Sequence, residues 1–66
     1  MATKLHEMRE RRGMTQAELA DKSGVNLRSV QNYEQGKSPI NGAAAETVYR
    51  LASALHCAVE DILEIE

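Results

Sequence analysis

Between Thr15 and Gly36 the chain starts and stops a short helix twice, and that punctuation limits its fold more than any other feature of the sequence. Thr15-Gln16-Ala17-Glu18 has the form of a capping box: the Thr hydroxyl accepts from the Glu18 amide, and the Glu18 carboxylate reaches back to the amide of Thr15. Leu19 and Ala20 give the helix that follows an inward side. Gly24 ends it after Ser23, because a residue without a Cβ enters the left-handed conformation that closes a helix. Asn26 then predicts a second N-cap, with a helix over Leu27–Gln35 and Gly36 as its stop. Val25, Val30 and Tyr33 supply its inward face.

Helical spacing continues on both sides. Leu5 and Met8 lie three apart in a charged segment that predicts a first helix over residues 4–12, closed by Gly13. Residues 37–42 hold the only Pro and read as a loop. Val48, Leu51, Ala52 and Leu55 fall at i, i+3, i+4 and i+7 and predict a fourth helix over residues 43–55, turning over at His56. Residues 59–63 predict a short fifth helix with Glu60 and Asp61 near its positive end. No strand alternation, repeat or linker breaks the pattern. The expectation is one compact all-α domain of five helices over residues 1–66.

Length and composition exclude several functions. A chain of 66 residues has room for one domain and little for an enclosed substrate pocket or a ligand-sensing module. With no Trp or Phe and two Tyr, its core must be aliphatic, with Met8 and Met14 contributing and Met1 read as the start residue. The single Cys57 has no disulfide partner and is expected to pack as a small hydrophobe. It forms no metal-ligand spacing with His6 and His56, and His6, among charges, is expected to be solvated. Ser29 has no His or acid placed to activate it as a nucleophile. No enzyme, metal or cofactor is therefore expected. No apolar run approaches the ~18 residues of a membrane span. Met1-Ala2-Thr3-Lys4 leads into charge rather than a signal-peptide core, which makes the cytoplasm the expected location.

Two short helices meeting at Ser23-Gly24-Val25-Asn26 form a helix-turn-helix by spacing. Small Ala20 where the second helix crosses, Gly24 in the tight turn, and Leu19, Val25, Val30 and Tyr33 as anchors meet its demands. Spacing alone is shared with helical bundles that have no nucleic-acid role. The longer pattern is more specific. Gln16-Ala17-Glu18-Leu19-Ala20, Gly24-Val25, Ser29-Val30 and Tyr33-Glu34-Gln35-Gly36-Lys37 together resemble the Cro/C1-type repressors, the Xre family. Leu5, Met8, Arg9 and Gly13-Met14-Thr15 resemble that family's first helix and its exit. Leu51-Ala52-Ser53-Ala54-Leu55 and Val59-Glu60-Asp61-Ile62-Leu63 resemble its last two helices. The resemblance covers nearly the whole chain and implies a lambda-repressor-like domain of five helices whose third helix enters the DNA major groove. The chain departs from the pattern at His56, where the family usually carries Gly or Asn, and at Cys57, normally apolar. His tolerates the left-handed conformation better than most residues, so the helix end is expected to persist.

The early exposed positions of a helix in the major groove are the ones that reach base edges. By resemblance these are Leu27, Arg28 and Asn32. Arg28 suits guanine, Asn32 adenine, and Leu27 a thymine methyl; a solvated helix face is the plainer alternative. Gln16 opens the second helix, where free amides and the helix dipole favour a phosphate, and the resemblance assigns it that contact. Lys37 is a second phosphate candidate, with Gln31 and Ser29 behind it because their helix phase only grazes the same side. The resemblance also implies a partly buried ion pair between Arg9 and Glu34.

The net charge of −2 is the wrong sign for a DNA-binding chain, but it is unevenly spread. Residues 1–37 carry seven basic and five acidic side chains, net +2; residues 38–66 carry one and five, net −4. Such a dipolar domain presents a positive side to phosphates. The small excess favours two copies on a symmetric site, so a homodimer is expected. Its seam is sought on the last two helices and on residues 62–66, where Ile65 has no evident core position. The leading expectation is a transcriptional repressor that binds double-stranded DNA. Its alternatives are an antitoxin of the same fold with a toxin partner, and a protein-interaction module that has lost DNA binding. No membrane or small-molecule partner is expected.

Overall fold

Thr3, Thr15 and Asn26 each open a helix. The computed structural model of the protein describes residues 2–64, with α1 at Lys4–Arg11, α2 at Gln16–Ser23, α3 at Leu27–Gln35 and α4 at Ala45–Ala54. The Thr3 hydroxyl accepts from the His6 amide at 3.2 Å, and the Asn26 side chain from the Arg28 amide at 2.8 Å. At Thr15 the reciprocal capping box forms, with its two bonds at 3.1 and 2.8 Å. Gly24 ends α2 at φ 73° and Gly36 ends α3 at φ 76°, both left-handed. Among the described residues His56 is the one non-glycine with positive φ, at 54°, so it turns the chain after α4 as its position predicts.

Two expectations need correction. Among the described residues there are four α-helices, not five: the expected helix over residues 59–63 is a 3₁₀ turn at Val59–Asp61. The segment is too short to offset the cost of an α-helical nucleus, and its amides at Asp61 and Ile62 bond three residues back. The Asp61 carboxylate accepts from the Ala58 amide at 3.0 Å and completes the turn. The start of α4 also moves, because Ala43 and Ala44 are extended. The expected loop before them contains a second 3₁₀ turn, Ile40–Gly42, that buries Ile40.

The core draws on all four helices: Leu5 of α1, Leu19 of α2, Val30 of α3, and Val48, Leu51, Ala52 and Leu55 around α4, joined by Ile40 and by Ile62, which follows the Val59–Asp61 turn. Met8, Met14, Val25, Tyr33 and Cys57 pack against it partly buried. Burial pushes the Cys57 thiol up, which keeps it protonated and suits it to packing. α2 lies against α3 and α4, while α1 lies against α3 and the Val59–Asp61 turn. Ile62 is fully buried and so cannot belong to a subunit seam; Ile65 lies outside the described residues.

Two long-range ties close the structure. Arg12 donates to the carbonyls of Leu55 and His56 at 2.8 and 3.2 Å, placing a cation on the negative end of α4. Asn41 and Glu64 exchange two hydrogen bonds at 3.0 and 2.8 Å, and the Glu64 carboxylate accepts from the Lys4 amide at 2.7 Å. Among the described residues no helix is long and apolar enough to cross a membrane. Nor do any three His, Cys, Asp or Glu side chains among them stand together as metal ligands do.

Candidate nucleic-acid interface

The orientation of α3 depends on one carboxylate. The side chain of Glu34 is 2% exposed and points back toward α1 and α2. Arg9 Nε donates to its Oε2 at 2.6 Å and Arg9 Nη2 to its Oε1 at 3.1 Å. Gln16 Nε2, from α2, donates to Oε1 at 3.1 Å, and His6 Nδ1 lies 3.0 Å from the same oxygen. Arg9 Nη1 also donates to the Met14 carbonyl at 2.7 Å, so the link between α1 and α2 joins the same cluster. The Thr3 hydroxyl donates to the Glu34 carbonyl at 3.3 Å. Burial by itself would push the Glu34 carboxyl up, but the hydrogen bonds from Arg9, His6 and Gln16 outweigh it and hold it below the ordinary glutamate value. The bond to Glu34 in turn raises Arg9. Charge-assisted bonds of this kind are short and strong, so three helices are fixed at defined angles rather than merely packed.

One residue behaves otherwise than expected, and another has a partner that spacing does not announce. His6 is not solvated: besides Glu34, its Nε2 meets Glu10 Oε1 at 3.2 Å. Spacing offers a signal here, since Thr3, His6 and Arg9 are one helical turn apart and share the face that meets α3. Gln16 commits its side-chain amide nitrogen to Glu34, which makes it a strut of the cluster in this structure.

With its inner side locked by Val30 and Glu34, α3 turns its other side out. Leu27, 40% exposed, and Arg28 stand free at its start. Gln31 and Asn32 follow one turn later, half-buried. Ser29 falls on the flank toward α4. The Asn32 carbonyl accepts from the amides of Lys37 and Ser38 at 2.9 and 3.3 Å, and this tight exit places exposed Lys37 beside the C-terminal end of α3. Leu27, Arg28, Gln31 and Asn32 therefore form one outward strip, with Lys37 at one end and the Gly24 turn at the other.

This is the geometry of a helix-turn-helix pair on a helical scaffold, and residues 5–62 match the helix-turn-helix family pattern. The chain belongs to the Cro/C1-type helix-turn-helix family. A relative from Archaeoglobus fulgidus, described as an uncharacterized HTH-type transcriptional regulator, is 34% identical over 62 residues, covering 94% of this chain and 84% of the relative. The helix-turn-helix match spans the Glu34 cluster as well as the outward strip of α3. Within this helix-turn-helix domain, Arg12 is the structural residue that no sequence pattern announces: its acceptors are 43 and 44 residues away.

Proposed function

We propose that this protein is a sequence-specific regulator of transcription that binds double-stranded DNA as a homodimer and acts as a repressor. In this reading α3 enters the major groove. One observation carries it: the start of α3 exposes Leu27 and Arg28 while Val30 and Glu34 on the opposite side are buried and locked. A rigid helix with a free outer edge is what base reading requires. Arg28 bonds two acceptors of guanine, Asn32 pairs with adenine, and Leu27 packs on a thymine methyl, each good bidentate contact discriminating by about 1–3 kcal/mol. Lys37, Gln31 and Ser29, with the first turn of α2 at Gln16, serve the phosphates. The net +2 of residues 1–37 supports that placement.

An apolar groove of about 440 Å³ lined by Ala43, Ala45, Val48, Tyr49, Val59 and Leu63 supports the homodimer. Tyr49 is 65% exposed there, a large ring left without cover in one copy. Repression requires only that the bound dimer occupy the site.

Selection of bound sequences from a random duplex pool tests the proposal. The expected result is a two-fold symmetric site with half-sites about 10 bp apart, or a multiple of that. Absence of binding to any duplex at about 50 mM salt, where electrostatic attraction is strong, would overturn it and leave a protein-interaction module.

A further inference from the structure

α4 faces α3 across an open cleft of about 330 Å³ beside the helix-turn-helix turn. One wall carries Asn26, Ser29 and Tyr33, at i, i+3 and i+7 along a single flank of α3; the other carries Glu46, Thr47 and Arg50. Arg50 is the one basic residue after Lys37, in a region otherwise acidic. The fold lays it against the turn, with Nη1 3.6 Å from where a Cβ on Gly24 would stand. Its side chain remains 51% exposed. Its partner is Glu46 one turn earlier, 71% exposed, whose Oε1 lies 2.5 Å from Arg50 Nη2. A surface ion pair of this kind contributes little to stability and is readily exchanged for a stronger anion.

We propose that this cleft seats a phosphate ridge of the DNA duplex, with Arg50 as its cationic contact; this rests on the DNA-binding reading above. A helix lying in the major groove has phosphates along its flanks, and the flank of α3 that faces α4 lines the cleft with Ser29 and Tyr33, opposite Arg50. Guanidinium and phosphate match in geometry and bond in pairs. α4 has no side-chain cap, so the positive end of its dipole adds to the field at the cleft. In the free protein Glu46 holds Arg50 beside the turn. On binding, the phosphate takes the place of the Glu46 carboxylate, and no bond is made or broken beyond these hydrogen bonds.

Fluorescence anisotropy of the full chain with a selected duplex and an unrelated one, between 50 and 200 mM salt, tests this. Arg50→Gln is expected to weaken binding to both duplexes by roughly three- to fivefold and to make the salt slope shallower by about 0.9 per protomer. Glu46→Gln removes the competing anion and is expected to tighten both by about two- to threefold. Arg50→Lys should keep the slope while losing part of the affinity. Unchanged affinity and slope in Arg50→Gln, while the unaltered protein binds, would overturn the proposal. A loss confined to the selected duplex would also overturn it, by marking Arg50 as a base reader. Failure of the unaltered protein to bind any duplex would remove the DNA-binding reading itself.

Discussion

The first three helices and the fourth are held in place by different forces. α1, α2 and α3 each start under a side-chain cap and meet at Glu34, where Arg9, Gln16 and His6 converge on one buried carboxylate. α4 has no side-chain cap and is retained chiefly by a buried stripe of Val48, Leu51, Ala52 and Leu55, with the Arg12 hydrogen bonds confined to the carbonyls at its C-terminal end. Hydrogen bonds to an ion fix direction; apolar burial fixes proximity and is tolerant of small rotations. The part with directional bonds is the part that carries the outward strip of α3. The part with apolar burial supplies cohesion and the exposed groove around Tyr49. Geometry sensitive to pH and geometry indifferent to it thus sit side by side in one small chain.

Removing the ion that joins the first three helices should break that contrast most severely. Glu34→Ala leaves Arg9 buried and unpaired, at a cost of about 3–5 kcal/mol. A domain of this size has roughly 3–5 kcal/mol in all, so the variant should be largely unfolded at 25 °C by circular dichroism. Acid should do the same more gradually. Because the folded Glu34 carboxyl is held below the ordinary value of 4.5, the stability it contributes is complete above that pH. It is lost as the pH falls through the lower folded-state value. Urea melts at several pH values would show this fall, and a Glu34→Ala variant that melts like the unaltered protein would refute the role assigned to the cluster.

On the other side, Leu51→Ala removes a fully buried side chain from α4 and should cost about 2–5 kcal/mol. The expected distinction lies in the acid response. The residual stability of Leu51→Ala should still drop below pH 4.5, since Glu34 and its partners are untouched. A Leu51→Ala variant whose residual stability is unchanged between pH 7 and pH 4 would erase the difference between the two regions.

The same contrast explains what was legible beforehand. α2 and α3 are legible to the residue, because Thr15, Gly24, Asn26 and Gly36 write each boundary locally. The start of α4 is not legible, because Ala43 and Ala44 favour helix by propensity and offer no cap to mark the true start two residues later. Nothing near Ile40 reveals that it is a core anchor, since its partners come from distant elements. At residues 59–63 the apolar spacing was real, and Ile62 is buried, but the segment was too short to complete an α-helix. Of the candidate interface, the outward phase of Leu27 and Arg28 follows from helix periodicity. The commitment of Gln16 to Glu34 spans 18 residues and that of Arg12 to Leu55 spans 43, distances over which local pattern carries no information.

A smaller effect is expected at the cap of α2. Thr15→Ala removes the acceptor for the Glu18 amide and should cost about 1 kcal/mol. For a chain of this length that lowers the melting temperature by about 4–8 °C. A calorimetric scan would measure it, and an unchanged melting temperature would show that α2 is set by packing as α4 is.

The smallest effect should run the other way. Ala44 precedes α4 at φ −59° and ψ 143°, the extended geometry of an N-cap, without a side chain able to use it. Ala44→Ser supplies an oxygen for the amide of Glu46 or Thr47 and should add about 0.5–1 kcal/mol, raising the melting temperature by about 2–8 °C. Serine is the better choice here than aspartate, whose charge would oppose an anion in the cleft beside Arg50. Combined with Thr15→Ala, the two changes should cancel in part and add within about 0.5 kcal/mol, because they act on separate helix ends with no shared partner. No gain from Ala44→Ser would mean that burial of the α4 stripe already fixes where that helix begins, and that its missing cap has no energetic consequence.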